Sequence, residues 1–186
     1  AVFGFEPPRE HGHGVVTAIE AMIRGDVRVF IGMGGNFVAA VPDTPLVKTA
    51  MRRLDLTVGI NTKLNRGHLV HGKDALILPC RARSELDEQG GVLQSVTVED
   101  SMSFVHASGG LLAPASAELK SEVDIVCGMA KAIFIDRHTN IDWDGYVADY
   151  DRIRDAIEAV YPDLFRDFNT RVRQPGGFRL HNPASE

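Results

Sequence analysis

Apolar positions along the first half of the chain alternate between helical spacing and short continuous runs. Residues 15–24 carry apolar side chains at helical spacing and end before Gly25, which predicts a helix with a glycine cap. The run 27–33 is β-branched and apolar, which predicts a strand buried on both faces. A second helix is predicted over 43–54, because its opening DTP supplies a capping side chain and a proline for the first turn.

Two further apolar runs, 56–60 and 75–79, predict a second and a third strand. Strands that alternate with helices and short polar loops favour an α/β fold with parallel strands and right-handed crossovers. The carboxyl ends of parallel strands lie along one edge of the sheet, where ligands bind in such folds. The polar loops GMGGN, NTKLNR and PCRARSE are therefore expected to converge.

The pattern after residue 80 is weaker and predicts mostly loops before two helices. Residues 81–112 are polar or rich in glycine and serine, and one short alternating run predicts a small strand. A helix capped by Ser121 follows. Its buried stripe is expected to consist of Val126, Met129, Ala130 and Ile133. Another helix is predicted from about 144 to 160, and Pro162 is expected to end it.

Composition narrows the possible functions. The chain has 186 residues, 44% of them hydrophobic, and a formal net charge of -5. One α/β domain over 1–174 is predicted, followed by a linker-like tail over 175–186 that leads towards a further domain. The negative charge disfavours nucleic acid and anionic membranes as partners, and no apolar run is long enough to span a membrane. Cys80 and Cys127 are predicted to be reduced, buried thiols of a cytoplasmic protein.

The glycine-rich loop is the first candidate site. A dinucleotide fingerprint would start at Gly32 and Gly34, but its third position is Phe37, and no Lys follows for a Walker loop. Gly34, Gly35 and Asn36 nevertheless leave backbone N–H groups bare near a helix start, which suits a phosphate or a nucleotide. A tight turn that binds nothing is the alternative.

Two more polar segments supply candidate binding residues. Asn61, Thr62 and Lys63 follow the second predicted strand and offer amide, hydroxyl and ammonium groups to a ligand. Asp100 and Ser101 follow the small strand, and a carboxylate there could accept from the N–H groups of a purine. A solvated loop or turn is the alternative for both segments. The histidines match no metal-binding motif, so no metal site is predicted.

Five segments together carry a resemblance to a known family. They are MGGNFVAAVPDT, LTVGINTKLNRGHLV, DALILPC, VEDSMSFVHASGGLLAPAS and SEVDIV, in this order. They resemble the formate-dehydrogenase-like branch of the molybdopterin oxidoreductase alpha (catalytic) subunits, from about Pro7 to the tail. The resemblance implies a fragment that covers the third domain of that subunit, an αβα sandwich with a mainly parallel, Rossmann-like sheet.

The resemblance also implies a cofactor. In this family bis(molybdopterin guanine dinucleotide), or bis-MGD, carries molybdenum or tungsten, and the third domain holds the nucleotide part of one cofactor. The loop Gly34–Phe37 falls where the family approaches the pyrophosphate and ribose. Asn61 falls where many members use an Asp to contact ribose or guanine, and Asp100 falls near another acidic contact. Asn61 lacks that charge, and Phe37 stands where a Pro is frequent, so individual hydrogen bonds are expected to differ.

The implied activity belongs to a larger enzyme. The metal ligand, the carboxyl-terminal barrel and any iron–sulfur cluster have no counterpart here, so no catalytic residue is assigned to this chain. The implied partners are the remaining domains of the catalytic subunit and a small-molecule substrate such as formate. Two alternatives stay open, a free-standing nucleotide- or phosphosugar-binding module without redox activity and a structural domain without a ligand.

Overall fold

The fold was analysed in a computed structural model that describes residues 2–136 and 140–181. Backbone contacts divide the chain into two compact units. The first unit is Pro8–Cys80, and the second consists of the described residues of Ala1–Pro7 and Arg81–Glu186. The prediction of one domain over 1–174 stays a prediction.

The first unit is an α/β structure built around a parallel sheet. Its elements are α1 (Val15–Arg24), β1 (Val29–Met33), α2 (Phe37–Ala40), α3 (Thr44–Arg52), β2 (Leu56–Asn61), a 3-10 helix (Arg66–Leu69) and β3 (Asp74–Pro79). The sheet has the order β1-β2-β3, and both pairs of neighbouring strands are parallel. The predicted α/β class and the parallel Rossmann-like sheet are confirmed, as are the three strands and the two long helices of this unit.

Local signals explain where these helices begin and end. Gly25 follows α1 with φ 87°, a left-handed conformation that glycine adopts without a steric penalty. At α3 the side chain of Asp43 accepts from the backbone N–H of Leu46 at 3.1 Å. The two helices pack on one face of the sheet, where they share a buried core. That core contains Ile19, Met22, Val47, Ala50, Met51 and Leu54.

The other face of β1 corrects one prediction. Val29, Ile31 and Met33 are 48%, 51% and 45% exposed, so β1 is not buried on both faces. The strand lies at the edge of the sheet, and its neighbouring side chain Phe30 points to the helix-covered face. An apolar run therefore predicted the strand correctly, but it did not reveal that only one of its faces is covered.

The second unit contains antiparallel strands and the remaining helices. Its strands are β4 (Glu88–Gln89), β5 (Val92–Leu93), β6 (Val96–Glu99), β7 (Phe104–Ser108) and β8 (Phe178–Arg179). Its helices are α4 (Glu122–Ile133), α5 (Trp143–Ala148), α6 (Asp151–Val160), α7 (Pro162–Phe165) and α8 (Phe168–Val172). The strands form an antiparallel β4–β5 pair and a sheet of order β6-β7-β8. Between 81 and 112 the sequence predicted loops and only one small strand, whereas the structure has four strands there, β4 to β7.

Several details of the second unit differ from the sequence predictions. The helix predicted over 144–160 is divided into α5 and α6, and Pro162 begins α7 instead of only ending a helix. On α4 the buried residues are Ile125 and Cys127, not the predicted stripe. Part of the predicted tail is ordered, because β8 pairs with β7 and Phe178 is buried. Residues 182–186 of that tail lie outside the described residues.

In the described parts of the chain, no helix is long and apolar enough to cross a bilayer. The predicted cytoplasmic location stays a prediction.

Candidate functional site

A cleft opens at the carboxyl ends of β1 and β2 in the first unit. It contains about 530 Å³ of space between atoms, part of which is open to solvent. Its lining includes Phe30, Gly32, Gly34, Gly35, Asn36, Phe37, Gly59, Asn61, Asn65, Gly67 and His68. The structure thus brings the predicted residues of the glycine loop together with Asn61, as the parallel sheet required.

The glycine loop leaves β1 in a conformation that favours glycine. Gly34 has φ 67° and Gly35 has φ 65°, both in the left-handed region. The N–H of Gly34 donates to the carbonyl of Ile60 at 2.8 Å, which attaches the loop to the end of β2. A β-carbon on either glycine would meet no atom within 4 Å, so both positions face open space. The loop therefore leaves its backbone accessible to a ligand.

Asn36 supplies a polar atom that lacks a partner. Its Oδ1 is buried and accepts no hydrogen bond within the described structure. Gly67 faces this atom, since a β-carbon there would lie 2.8 Å from Oδ1 of Asn36. Buried acceptors are nearly always satisfied, and an unsatisfied one costs about 1–3 kcal/mol. A ligand with a hydrogen-bond donor would remove this cost.

Three side chains fix the end of β2 against the glycine loop. Nδ2 of Asn65 donates to the Gly35 carbonyl at 2.9 Å, and Nδ2 of Asn61 approaches the same oxygen at 3.5 Å. Oδ1 of Asn61 lies 3.1 Å from Nε2 of His68. The acceptor of Asn61 is thus already engaged inside the protein, although the sequence had suggested it for ribose or guanine.

Phe37 gives the cleft an aromatic wall. Its ring centroid lies 5.0 Å from that of Phe30, at an interplanar angle of 41°. Both rings pack against the core beneath the helices. Phe37 therefore fills the place where the dinucleotide fingerprint requires a glycine for close helix packing.

Thr62 and Lys63 follow Asn61 and are both exposed. Their predicted contact with a cofactor stays a prediction.

The predicted residues Asp100 and Ser101 belong to the second unit, in the turn between β6 and β7. Oδ1 of Asp100 accepts from the N–H groups of Met102 at 2.8 Å and Phe104 at 3.0 Å. These backbone donors hold the pKa of Asp100 below its ordinary value. The carboxylate thus has a local role in the turn, and Ser101 is exposed beside it. Nucleotide binding by these two residues stays a prediction.

Among the described residues, no group of three or more His, Cys, Asp or Glu side chains is placed to hold a metal ion. Cys80 and Cys127 are buried, as the sequence predicted, and they form no disulfide in the described structure. Burial raises the pKa of the Cys127 thiol, which keeps it protonated at neutral pH.

Sequence reasoning missed part of the cleft. It assigned no role to Asn65, which lies in the polar loop NTKLNR, or to His68, because the histidines match no metal-binding motif. The signal was present in the spacing, because Asn65 caps the 3-10 helix and His68, three residues later, accepts from the Asn65 N–H. This is the reciprocal arrangement of a capping box, with His in place of Glu or Gln.

Comparisons with known proteins indicate relatives that are much longer than this chain. No family model matches it. Over 184 residues it is 52% identical to the Uncharacterized oxidoreductase Rv2900c of Mycobacterium tuberculosis, covering 99% of this chain and 23% of that protein. Over 184 residues it is 47% identical to Protein YdeP of Escherichia coli K12, covering 24% of it. The chain thus spans about a quarter of the length of these curated relatives, of which the mycobacterial protein is named an oxidoreductase.

Proposed function

We propose that the cleft of the first unit holds the guanine nucleotide part of a molybdopterin guanine dinucleotide within a larger oxidoreductase. The relatives named as oxidoreductases support the general activity. The resemblance of the strand-end motifs to formate-dehydrogenase-like subunits supports the particular cofactor. In this proposal the chain grips the cofactor, while the remaining domains of the enzyme complete the catalytic site.

The observation that carries the proposal is the unpaired Oδ1 of Asn36 beside an open glycine loop. Guanine presents N–H donors on its base, and ribose presents hydroxyl donors, so either could satisfy this acceptor. The N–H groups of a bare loop suit the pyrophosphate oxygens. The donors and acceptors present therefore fit the nucleotide part of the cofactor.

The residues of this chain would bind and orient the nucleotide part of the cofactor, and they would take no part in the reaction itself. Gly34 and Gly35 would admit the pyrophosphate close to the backbone, and Asn36 would accept from the base or the ribose. The rings of Phe30 and Phe37 would exclude water from one side of the cleft. When bound, the molybdenum or tungsten centre supplies two-electron transfer, for formate or a related small molecule.

A nucleotide titration tests the proposed site. GDP added to the 186-residue chain is expected to shift the amide NMR signals of Gly34 and Gly35. Replacing Asn36 and Asn61 together by Ala should weaken GDP binding by about tenfold or more, which corresponds to about 1.4 kcal/mol. The matched control replaces two exposed amide residues of the second unit, Asn140→Ala with Gln174→Ala, and should leave the affinity unchanged.

Equal affinity in the Asn36/Asn61 variant and in the wild type would count against this cleft as the site. Metal and nucleotide analysis of the full-length protein separates the cofactor from the alternative of a free-standing nucleotide module. The proposal requires guanine nucleotide to be released together with molybdenum or tungsten. Nucleotide released without either metal would favour the alternative.

A further inference from the structure

His68 joins the two polar segments that border the cleft. Its Nε2 faces Oδ1 of Asn61 at 3.1 Å. Its Nδ1 lies 3.0 Å from the backbone N and 3.1 Å from the backbone O of Asn65. An amide oxygen only accepts, so Nε2 carries a hydrogen and donates it to Asn61 in either charge state of the ring.

The hydrogen bond from His68 fixes the orientation of the Asn61 amide. With Oδ1 held by the imidazole, Nδ2 of Asn61 is directed towards the carbonyl of Gly35. Nδ2 of Asn65 reaches the same carbonyl at 2.9 Å. Two side-chain amides thus converge on one oxygen of the glycine loop.

Fixing the Gly35 carbonyl also fixes the next N–H group. The peptide bond is planar and trans, so the N–H of Asn36 points opposite to the Gly35 carbonyl. Without these bonds the loop could rotate this peptide plane readily, because Gly35 has no side chain to hold it and a β-carbon there would meet no atom within 4 Å. The direction of the loop N–H therefore depends on the amides that His68 helps to orient.

The neighbouring strand leaves room for this arrangement. A β-carbon on Gly59 would lie 3.1 Å from Nε2 of His68 and 3.3 Å from Oδ1 of Asn61. Such distances are tighter than ordinary contacts, so a larger residue at position 59 would disturb the bond between the two side chains. Glycine in the middle of β2 thus matches the place where the imidazole approaches the strand.

We propose that His68 is a positioning residue that sets the glycine loop for ligand binding through the Nε2–H bond to Asn61. The inference rests on the proposed function only for the identity of the ligand. The ordering of the loop by His68 can be measured in the absence of any ligand.

Two conservative variants separate the two nitrogens of the imidazole. A Gln amide nitrogen can replace Nε2 as the donor to Asn61, whereas an Asn oxygen can replace Nδ1 as the acceptor from the Asn65 N–H. His68→Gln is therefore expected to bind GDP within about threefold of the wild type, and His68→Asn about tenfold more weakly. If His68 only capped the 3-10 helix, His68→Asn would bind GDP more tightly than His68→Gln. That result would overturn the proposal.

Hydrogen exchange of the Asn36 amide provides the readout without ligand. Exchange should be faster in His68→Asn than in the wild type, and close to the wild-type rate in His68→Gln. Equal rates in all three proteins would overturn the inference. If the wild type binds no GDP, the proposed function fails while the exchange rates still decide the role of His68. If His68→Asn does not fold, Asn61→Ala breaks the same link and should also speed exchange at Asn36.

Discussion

The hydroxyl of one buried tyrosine, Tyr150, forms hydrogen bonds with two other segments of the second unit. Tyr150 is 2% exposed, and its hydroxyl donates to Oδ2 of Asp87 at 2.5 Å. The same hydroxyl lies 2.7 Å from Oγ of Ser121, and Nη1 of Arg81 donates to Oδ1 of Asp87 at 2.8 Å. Burial and the bond to Asp87 raise the pKa of Tyr150. The hydroxyl therefore remains neutral and satisfies groups from several segments.

Replacing this hydroxyl should destabilise the protein. In Tyr150→Phe, Asp87 and Ser121 each lose a partner while remaining largely buried, so the free energy of unfolding should fall by about 1–3 kcal/mol. Urea denaturation measures the change. The matched control is Tyr161→Phe, because Tyr161 is 56% exposed and should tolerate the substitution. Equal effects of the two substitutions would show that the Tyr150 hydroxyl contributes nothing specific.

Alkaline pH gives a second readout for the same residue. The pKa of Tyr150 in the folded protein is raised above its ordinary value of 10.0. Its contribution to stability is therefore fully present below pH 10 and is lost as the pH rises towards the folded pKa. The free energy of unfolding of Tyr150→Phe should therefore fall less between pH 10 and higher pH than that of the wild type. An identical alkaline profile in the variant would contradict the assignment.

Residue types near strand ends could be predicted from the sequence, but their partners could not. The sequence placed the glycine loop and Asn61 at one edge of the sheet, and the structure brings them together there because the carboxyl ends of parallel strands share an edge. The hydrogen bond between Asn61 and His68 depends on how the crossover from β2 to β3 folds back. A local pattern specifies a side chain's position along an element, and it does not specify which distant atom that side chain will meet.

Among the individual elements, α4 shows an ambiguity of hydrophobic periodicity. Apolar residues occupy several of its faces, so more than one stripe fits the helical period. The predicted stripe was wrong, since Val126 and Ile133 are exposed while Ile125 and Cys127 are buried. The cap at Ser121 was predicted correctly, because it depends on residues within one turn.

The interior of α4 also contains a glycine, Gly128, although nothing around it in the described structure excludes a larger side chain. A β-carbon on Gly128 would meet nothing within 4 Å, and its φ is helical. Gly128→Ala should therefore stabilise the protein by about 0.5–1 kcal/mol, since alanine has the higher helix propensity. Thermal unfolding should show a melting temperature higher by about 1–4 °C.

Gly34→Ala is the matched substitution with the opposite expected sign. Gly34 has the same open space for a β-carbon but a φ of 67°, so alanine there should cost about 1 kcal/mol. A fall in melting temperature for Gly128→Ala would indicate that position 128 contacts something outside the described structure.

The division between α5 and α6 shows a limit set by long-range contacts. Asp149 is extended, with φ -150°, and the backbone N–H of Tyr150 donates to Oε1 of Gln94 at 3.0 Å. The apolar pattern from 144 to 160 continues through this break, so it predicted one helix. Gln94, more than fifty positions away in sequence, thus binds the backbone on both sides of Asp149, because its Nε2 also donates to the carbonyl of Ala148 at 3.1 Å.

At the scale of the whole molecule, the sequence predicted the first unit better than the second. The first unit alternates helices and strands along the chain, so neighbouring segments pack on one another and local periodicity suffices. The second unit brings β8 back to β7 across several helices. Such a pairing leaves no short-range signal, and the sequence interpretation treated that segment as a tail.

Several carboxylates of the second unit accept hydrogen bonds from backbone N–H groups. Glu85 accepts from the N–H groups of Ala82 and Ala115, each at 2.6 Å. Asp142 accepts from the N–H of Gly145 at 2.9 Å. These donors favour the ionised form and hold the pKa of both carboxyls below their ordinary values, 4.5 for Glu85 and 3.8 for Asp142.

These lowered pKa values predict acid sensitivity of the second unit. Below about pH 4.5 the unfolded chain takes up protons more readily than the folded protein, so stability is present above that pH and falls as the pH drops through the folded pKa values. Urea denaturation between pH 6 and about pH 3 should show this fall. Glu85→Gln should reduce stability at neutral pH and make the fall shallower, because one of the titrating carboxylates is gone.

The cause of the shift can be tested by adding salt. The largest contributions to the lowered pKa of Glu85 are hydrogen bonds from backbone N–H groups, and the charge of Arg81 is the smallest. Salt screens interactions between separated charges and leaves short hydrogen bonds largely intact. The difference in acid sensitivity between wild type and Glu85→Gln should therefore persist in 1 M NaCl, a concentration at which the Debye length is about 3 Å. If salt abolished the difference, long-range charge and not the backbone donors would be the source of the acid sensitivity.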